Sequence, residues 1–137
     1  MLLVKDLMSP RLLVVQENAS IGRTQAEMKL AHIRHFPVMN RKQELVGVVS
    51  QRDLFRAIGS GPKGKSLAIS QIMTTDLQTV RAGQPAFEAA QLMRKLKVGM
   101  LPVIGPEETL IGIITETDFL EVAEAALAGK KLRPRRR

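Results

Sequence analysis

Two stretches of the chain read almost alike: "LVGVVSQRDLF", from Leu45 to Phe55, and "LIGIITETDFL", from Leu110 to Leu120. Each is a short apolar run broken by a glycine, Gly47 or Gly112, and each closes on a hydroxyl residue with an aspartate three positions later, Ser50 with Asp53 and Thr115 with Asp118. An apolar run of this length predicts a buried strand. Ser/Thr-x-x-acid directly after it predicts a capping box, which starts a helix there. The offset of 65 residues between the copies extends outward without a gap, pairing Met8 with Met73, Leu12 with Leu77, Val15 with Val80, Met28 with Met93 and Pro37 with Pro102. Register kept over some fifty positions marks a duplicated unit.

Within each copy the periodicity predicts one order of elements. A strand ("LLVV", Leu12 to Val15; "LQTV", Leu77 to Val80) leads into a helix, announced by Ser20 as N-cap in the first copy and by Pro85 at a first-turn position in the second. Ala86, Ala90, Met93 and Leu96 recur at the spacing of one buried helical face. Two strands follow as a hairpin, "FPVMN" with "LVGVVS" and "LPVIG" with "LIGIIT", and a helix closes the unit. The fold class is α+β, an α/β two-layer arrangement of two β-α-β-β-α repeats. A three-stranded unit of this size cannot cover both faces of its sheet alone, so the two repeats are expected to pack as one module.

Composition removes several chemistries. The chain of 137 residues has no cysteine, which excludes disulfides, thiolate metal sites and a thiol nucleophile and fits a reducing compartment. Two histidines without cysteine make a zinc site a poor expectation. No run approaches the ~18 apolar residues of a membrane span, and a cytoplasmic location is the default expectation. The net charge is +8, but six cations lie in the last eight residues, "KKLRPRRR", which leaves +2 for the rest. That basic tail, residues 129–137, reads as a disordered, solubilising end. The rival reading is binding to nucleic acid or an anionic surface, although no aromatic residue is interleaved for base stacking.

Between the repeats lies "GSGPKGKS", Gly59 to Ser66, a composition that predicts a flexible linker. Gly59, Gly64, Lys65 and Ser66 also satisfy G-x-x-x-x-G-K-S, the phosphate-cradling P-loop string. That mechanism needs a strand before the loop and a helix after it. Here a helix precedes the string, and Pro62 lacks one of the N–H donors, so the match is read as coincidence.

The ordered set, "F/L-P-V" before a hairpin and "G-h-h-S/T-x-x-D" after it (h apolar), twice in register, resembles a tandem pair of CBS (cystathionine-beta-synthase) domains over residues 1–128. The resemblance implies repeat 1 at 1–58, a linker at 59–66 and repeat 2 at 67–128. It also implies a regulatory module rather than an enzyme, commonly a homodimer. The ligand would be AMP, ADP, ATP or S-adenosylmethionine, held in clefts between repeats as a regulatory ligand, with no further cofactor and no metal. Carried over by position, the family pattern makes Asp53 and Asp118 acceptors for ribose hydroxyls. Ser50 and Thr115 stand beside them, and Val48 and Ile113 offer backbone groups and apolar area to the base. The phosphate-facing positions are Arg34 and His35 in the first copy; Gly99 and Met100 take their places in the second and cannot pair with phosphate. The resemblance further gives Gln78, Val98 and Gly99 to the Asp53 cleft, with His35, and Leu13, Ile33 and Arg34 to the Asp118 cleft.

Plainer readings accompany these residues. Arg34 and His35 follow a helix, where cations complement the C-terminal dipole, and His32 reads as a helix-surface residue. A Ser50, His35 and Asp53 triad can be written down, but any chain with these residues permits it. The seven methionines are core filler. Two alternatives to sensing remain: a dimerisation or interaction module with empty clefts, and an anionic-surface binder acting through the tail.

Overall fold

The computed structural model describes residues 1–9 and 11–134. Elements follow the order α1 (Val4–Leu7), β1 (Val15–Gln16), α2 (Ile21–Ala31), β2 (His35–Met39), β3 (Leu45–Ser50) and α3 (Gln51–Gly59). The second half contains β4 (Val80–Arg81), α4 (Ala86–Leu96), β5 (Met100–Ile104), β6 (Leu110–Thr115) and α5 (Glu116–Leu127). The strands form two three-stranded sheets, β1-β2-β3 and β4-β5-β6, in each of which the first pair is parallel and the second antiparallel. The mixed α/β class and the duplicated order of elements agree with the sequence reading. The leading strands are shorter than "LLVV" and "LQTV": each starts at the last residue of its run, because pairing with β2 or β5 is limited to Val15 and Gln16 or to Val80 and Arg81.

The chain divides into two compact units that cut across the sequence repeats, residues 13–77 and residues 1–12 with 78–137. In the first of these, the core joins Ile21 and Met28 of α2, Phe36, Val38 and Val49 of the sheet and Leu54 and Ala57 of α3. The sequence-distant Ile69, 0 % exposed, completes it. Ile69 belongs to an arm, residues 67–77, that lies along the sheet: Ile69 N–H donates to Ala19 O (2.9 Å) and Ser70 N–H to Glu17 O (2.9 Å). In the other unit, residues 1–9 fill the same role. Val4, Leu7 and Met8 join Ala86, Ala89, Met93, Leu101, Val103 and Ile114, with Val4 N–H donating to Gln84 O (2.8 Å) and Ala86 N–H to Leu2 O (2.9 Å). Each arm adds apolar area to a small sheet and, at roughly 1.5–3 kcal/mol per fully buried side chain, contributes a substantial share of the unit's stability.

Local signals set the helix ends. Ser20 caps α2, its hydroxyl accepting from Arg23 N–H at 3.2 Å. Pro85 occupies the N-cap of α4 itself, one residue before the first turn. The buried face of α4 is Ala86, Ala89 and Met93; Ala90 is half-buried and Leu96 exposed, since the stripe drifts round the helix at 3.6 residues per turn. His32 is the left-handed residue that ends α2 (φ 55°), matched by Lys97 at the end of α4 (φ 56°).

Residues 59–66 connect the repeats, and part of the segment is packed. Gly59 closes α3, and Gly64–Ser66 form a 3-10 turn in which Gly64 is buried. A Cβ on Gly64 would lie 2.3 Å from Ala57 O and 2.8 Å from Ile58 Cα, so this turn is seated on the backbone of α3. Gly64 allows this close packing, whereas a Cβ on Gly59 or Gly61 would meet nothing within 4 Å. Helix α3 immediately before it leaves the P-loop string without the strand that a phosphate cradle requires.

The described part of the tail, residues 129–134, begins with a turn back from α5. Helix α5 ends in a Schellman reversal at Gly129 (φ 71°), with Lys130 N–H donating to Ala125 O (2.8 Å) and Gly129 N–H to Ala126 O (3.0 Å). The reversal allows Leu132 to pack against the core of its unit. Arg135, Arg136 and Arg137 lie outside the described residues. No helix among the described residues is long and apolar enough to cross a membrane.

The β5-β6 hairpin turns through Glu107 and Glu108, both at positive φ (59° and 58°), with Thr109 N–H donating to Pro106 O at 3.3 Å. Two consecutive left-handed residues are what a type I′ turn demands, and Asn-Gly is the pair that meets the demand at least cost. Glu107→Asn with Glu108→Gly is expected to raise stability by about 1 kcal/mol, read as an increased midpoint in a urea titration. The exposed Arg81–Glu108 ion pair would be lost, which costs less than about 1 kcal/mol. An unchanged or lowered midpoint would count against a strained turn.

Candidate functional site

The predicted site residues gather at one end of each sheet, where the first two strands begin and the third finishes. In the unit of residues 13–77, His35 is paired in register with Ser50 across the β2-β3 ladder. The Arg34 carbonyl accepts from Gln51 N–H at 2.8 Å, joining the start of β2 to the start of α3. Leu13 and Ile33 pack, partly buried, against the core of this unit. Ser50 and Asp53 form a reciprocal capping box: Ser50 N–H donates to Asp53 Oδ2 at 2.8 Å, and Asp53 N–H donates to Ser50 Oγ at 3.2 Å. The box commits Oδ2 to the backbone, while the same carboxylate has a second oxygen with its own acceptor capacity.

The unit containing residues 78–137 repeats this construction with different chemistry. Met100 pairs with Thr115, and Gly99 O accepts from Glu116 N–H at 3.2 Å. Thr115 N–H donates to Asp118 Oδ2 at 2.7 Å, but the Thr115 hydroxyl stands 3.5 Å from that same oxygen instead of capping the helix amide. Asp118 is 5 % exposed, whereas Asp53 is half-buried. Val98 packs on the core of this unit, and exposed Gln78 stands two residues before β4. Each Asp is held by its own helix start, so its position follows from backbone geometry rather than from side-chain freedom.

The glycines that precede these residues admit a close approach to their strands. A Cβ on Gly47 would lie 2.7 Å from Met73 Sδ and 2.9 Å from Thr74 O; one on Gly112 would lie 3.0 Å from Met8 Sδ and 3.0 Å from Ser9 O. What approaches these strands is the chain's own arms. Val48 N–H donates to Thr74 O (3.0 Å) and Thr74 N–H to Val48 O (2.9 Å), while Ser9 N–H donates to Ile113 O (2.9 Å). The Val48 N–H is therefore used internally, and its side chain is what remains for a base. The 65-residue offset pairs Met8 with Met73, but the role of Leu/Ile-Met-Ser/Thr as a docking segment for the glycine strand is shown by the fold. The matched spacing of Met-Ser/Thr and Gly in both copies was the available signal.

The family model for the CBS domain matches twice, at residues 4–60 and 69–125. The chain belongs to the CBS domain family. The solved CBS domain pair of protein MJ0100, in complex with 5′-methylthioadenosine and S-adenosyl-L-methionine, is 26 % identical, with a TM-score of 0.83 over 91 % of this chain and 98 % of that one. The structure of CBSX2 in complex with AMP is 28 % identical, with a TM-score of 0.78 over 91 % of this chain and 98 % of that one. A homoserine O-acetyltransferase of Methanococcoides burtonii is 32 % identical over 85 % of this CBS pair. This chain spans only 23 % of that enzyme's length, so the match concerns its CBS segment.

Proposed function

We propose that this CBS pair is a regulatory, non-catalytic module that binds an adenosine-containing ligand at the Ser50/Asp53 and Thr115/Asp118 sheet ends. Binding would bias the conformation of the module, and a partner protein or a second copy would read the change, as differential affinity for two states requires. The observation that carries this reading is the duplicated carboxylate. Each Asp is fixed by one oxygen to its own helix start, which places a carboxylate, the acceptor that a ribose diol calls for, at the matched end of each sheet. Two relatives of the same fold hold adenosine compounds, AMP in one and methylthioadenosine with S-adenosylmethionine in the other.

The test is a stability series with AMP, ATP, S-adenosylmethionine and methylthioadenosine. A ligand at ~100 times its dissociation constant stabilises the fold by roughly 2.7 kcal/mol. The double variant Asp53→Asn, Asp118→Asn keeps an oxygen for each capping bond but replaces the other carboxylate oxygen by a donor, and is expected to lose the response while remaining folded. The absence of any shift with these four compounds, or a full shift in the double variant, would refute the reading.

A further inference from the structure

We infer that the two carboxylate-bearing ends take adenosine ligands of opposite charge character: Asp53 serves a phosphate-bearing nucleotide, and Asp118 serves an uncharged or cationic adenosine derivative. This inference rests on the adenosine-binding reading and divides it between the two sites. Its source is a reversal of charge at positions matched by the 65-residue offset. Helix α3, which Asp53 opens, carries two arginines, Arg52 and Arg56, against that one acid. Helix α5, which Asp118 opens, carries Glu116, Asp118, Glu121 and Glu124 and no base. Position by position, Gln51 becomes Glu116, Arg52 becomes Thr117 and Arg56 becomes Glu121.

Arg52 and Arg56 are exposed, as are Glu116, Glu121 and Glu124. They act on a ligand through the local field rather than by buried contact, and such a field sets which charge gathers at a site. A nucleoside phosphate near α3 meets two cations on the helix and the positive helix start. Near α5 it would meet three glutamates as well as Asp118. An uncharged methylthioadenosine pays no such repulsion, and the sulfonium of S-adenosylmethionine is attracted.

The experiment measures AMP and methylthioadenosine affinities by calorimetry for the full chain and three variants at low and moderate salt. Asp53→Asn is expected to weaken AMP by about tenfold or more while leaving methylthioadenosine within about twofold, and Asp118→Asn is expected to do the reverse. Arg52→Glu with Arg56→Glu touches neither Asp and lies on exposed positions; it is expected to weaken AMP about tenfold at low salt, less at moderate salt, with methylthioadenosine unaffected. Wild-type binding of either ligand with equal losses in both Asp variants, or with the crossed pattern inverted, overturns the division alone. Failure of the wild type to bind either compound overturns both the division and the adenosine reading beneath it.

Discussion

Gly64→Ala is expected to destabilise the fold by about 3 kcal/mol, whereas Gly59→Ala, in the same G-x-x-x-x-G-K-S string, should be neutral or stabilising by up to about 1 kcal/mol. The added methyl at Gly64 would stand 2.3 Å from Ala57 O and 2.8 Å from Ile58 Cα. Both are backbone atoms of α3, whose residue Ala57 is itself anchored in the core, so the clash cannot be relieved by rotating a side chain. Either α3 or the 3-10 turn must move, and the turn leads into the arm that carries the fully buried Ile69. Gly59 is the last residue of α3, and a Cβ there meets nothing within 4 Å, so alanine gains helix propensity without obstruction. Urea titrations of the two variants and the wild type decide the matter. Equal midpoints for all three would mean that residues 59–66 are the loose linker that their composition describes.

Gly47→Val and Gly112→Val should each cost about 3 kcal/mol, a sign opposite to the one strand propensity gives. Valine in an open strand interior is favourable by up to about 1 kcal/mol relative to poor strand formers. Here the strand face is covered by an arm. The first side-chain atom at Gly47 already falls 2.9 Å from Thr74 O, the acceptor of the Val48 N–H, so the branched side chain must push the arm off and break both Val48–Thr74 hydrogen bonds. Overpacking of this kind costs roughly 1–3 kcal/mol and each lost hydrogen bond about 1 kcal/mol more. Gly112 faces Met8 and Ser9 in the same way. Variants that melt with the wild type but no longer respond to adenosine compounds would give these glycines a ligand-facing role instead.

Much of the architecture was legible because it rests on short-range rules repeated twice. The helix starts at Ser50 and Thr115 are set by residues three apart, and both Asp carboxylates accept the predicted backbone N–H. The hairpin registers follow from apolar runs whose pairing keeps Phe36, Val38 and Val49 inside. What was misread involved contacts across the chain. Nothing local to Gly47 and Gly112 says which body approaches them. Gly64 looked loose because Gly, Ser and Lys are common both in linkers and in tight packed turns. Leu132, a single apolar residue among cations, gave no periodicity from which docking could be inferred.

The sequence by itself determined the repeat, the order of elements, the helix starts and the chemical identity of the paired hydroxyl and acid, since each depends on residues within a few positions of one another. Only the tertiary structure decided that residues 1–12 belong with residues 78–137 and that the arm after α3 completes the unit of residues 13–77. Pairing of this kind is settled by which sheet face lacks apolar cover and which segment can supply backbone donors to it. That is a property of distant surfaces in three dimensions and leaves no period in the chain.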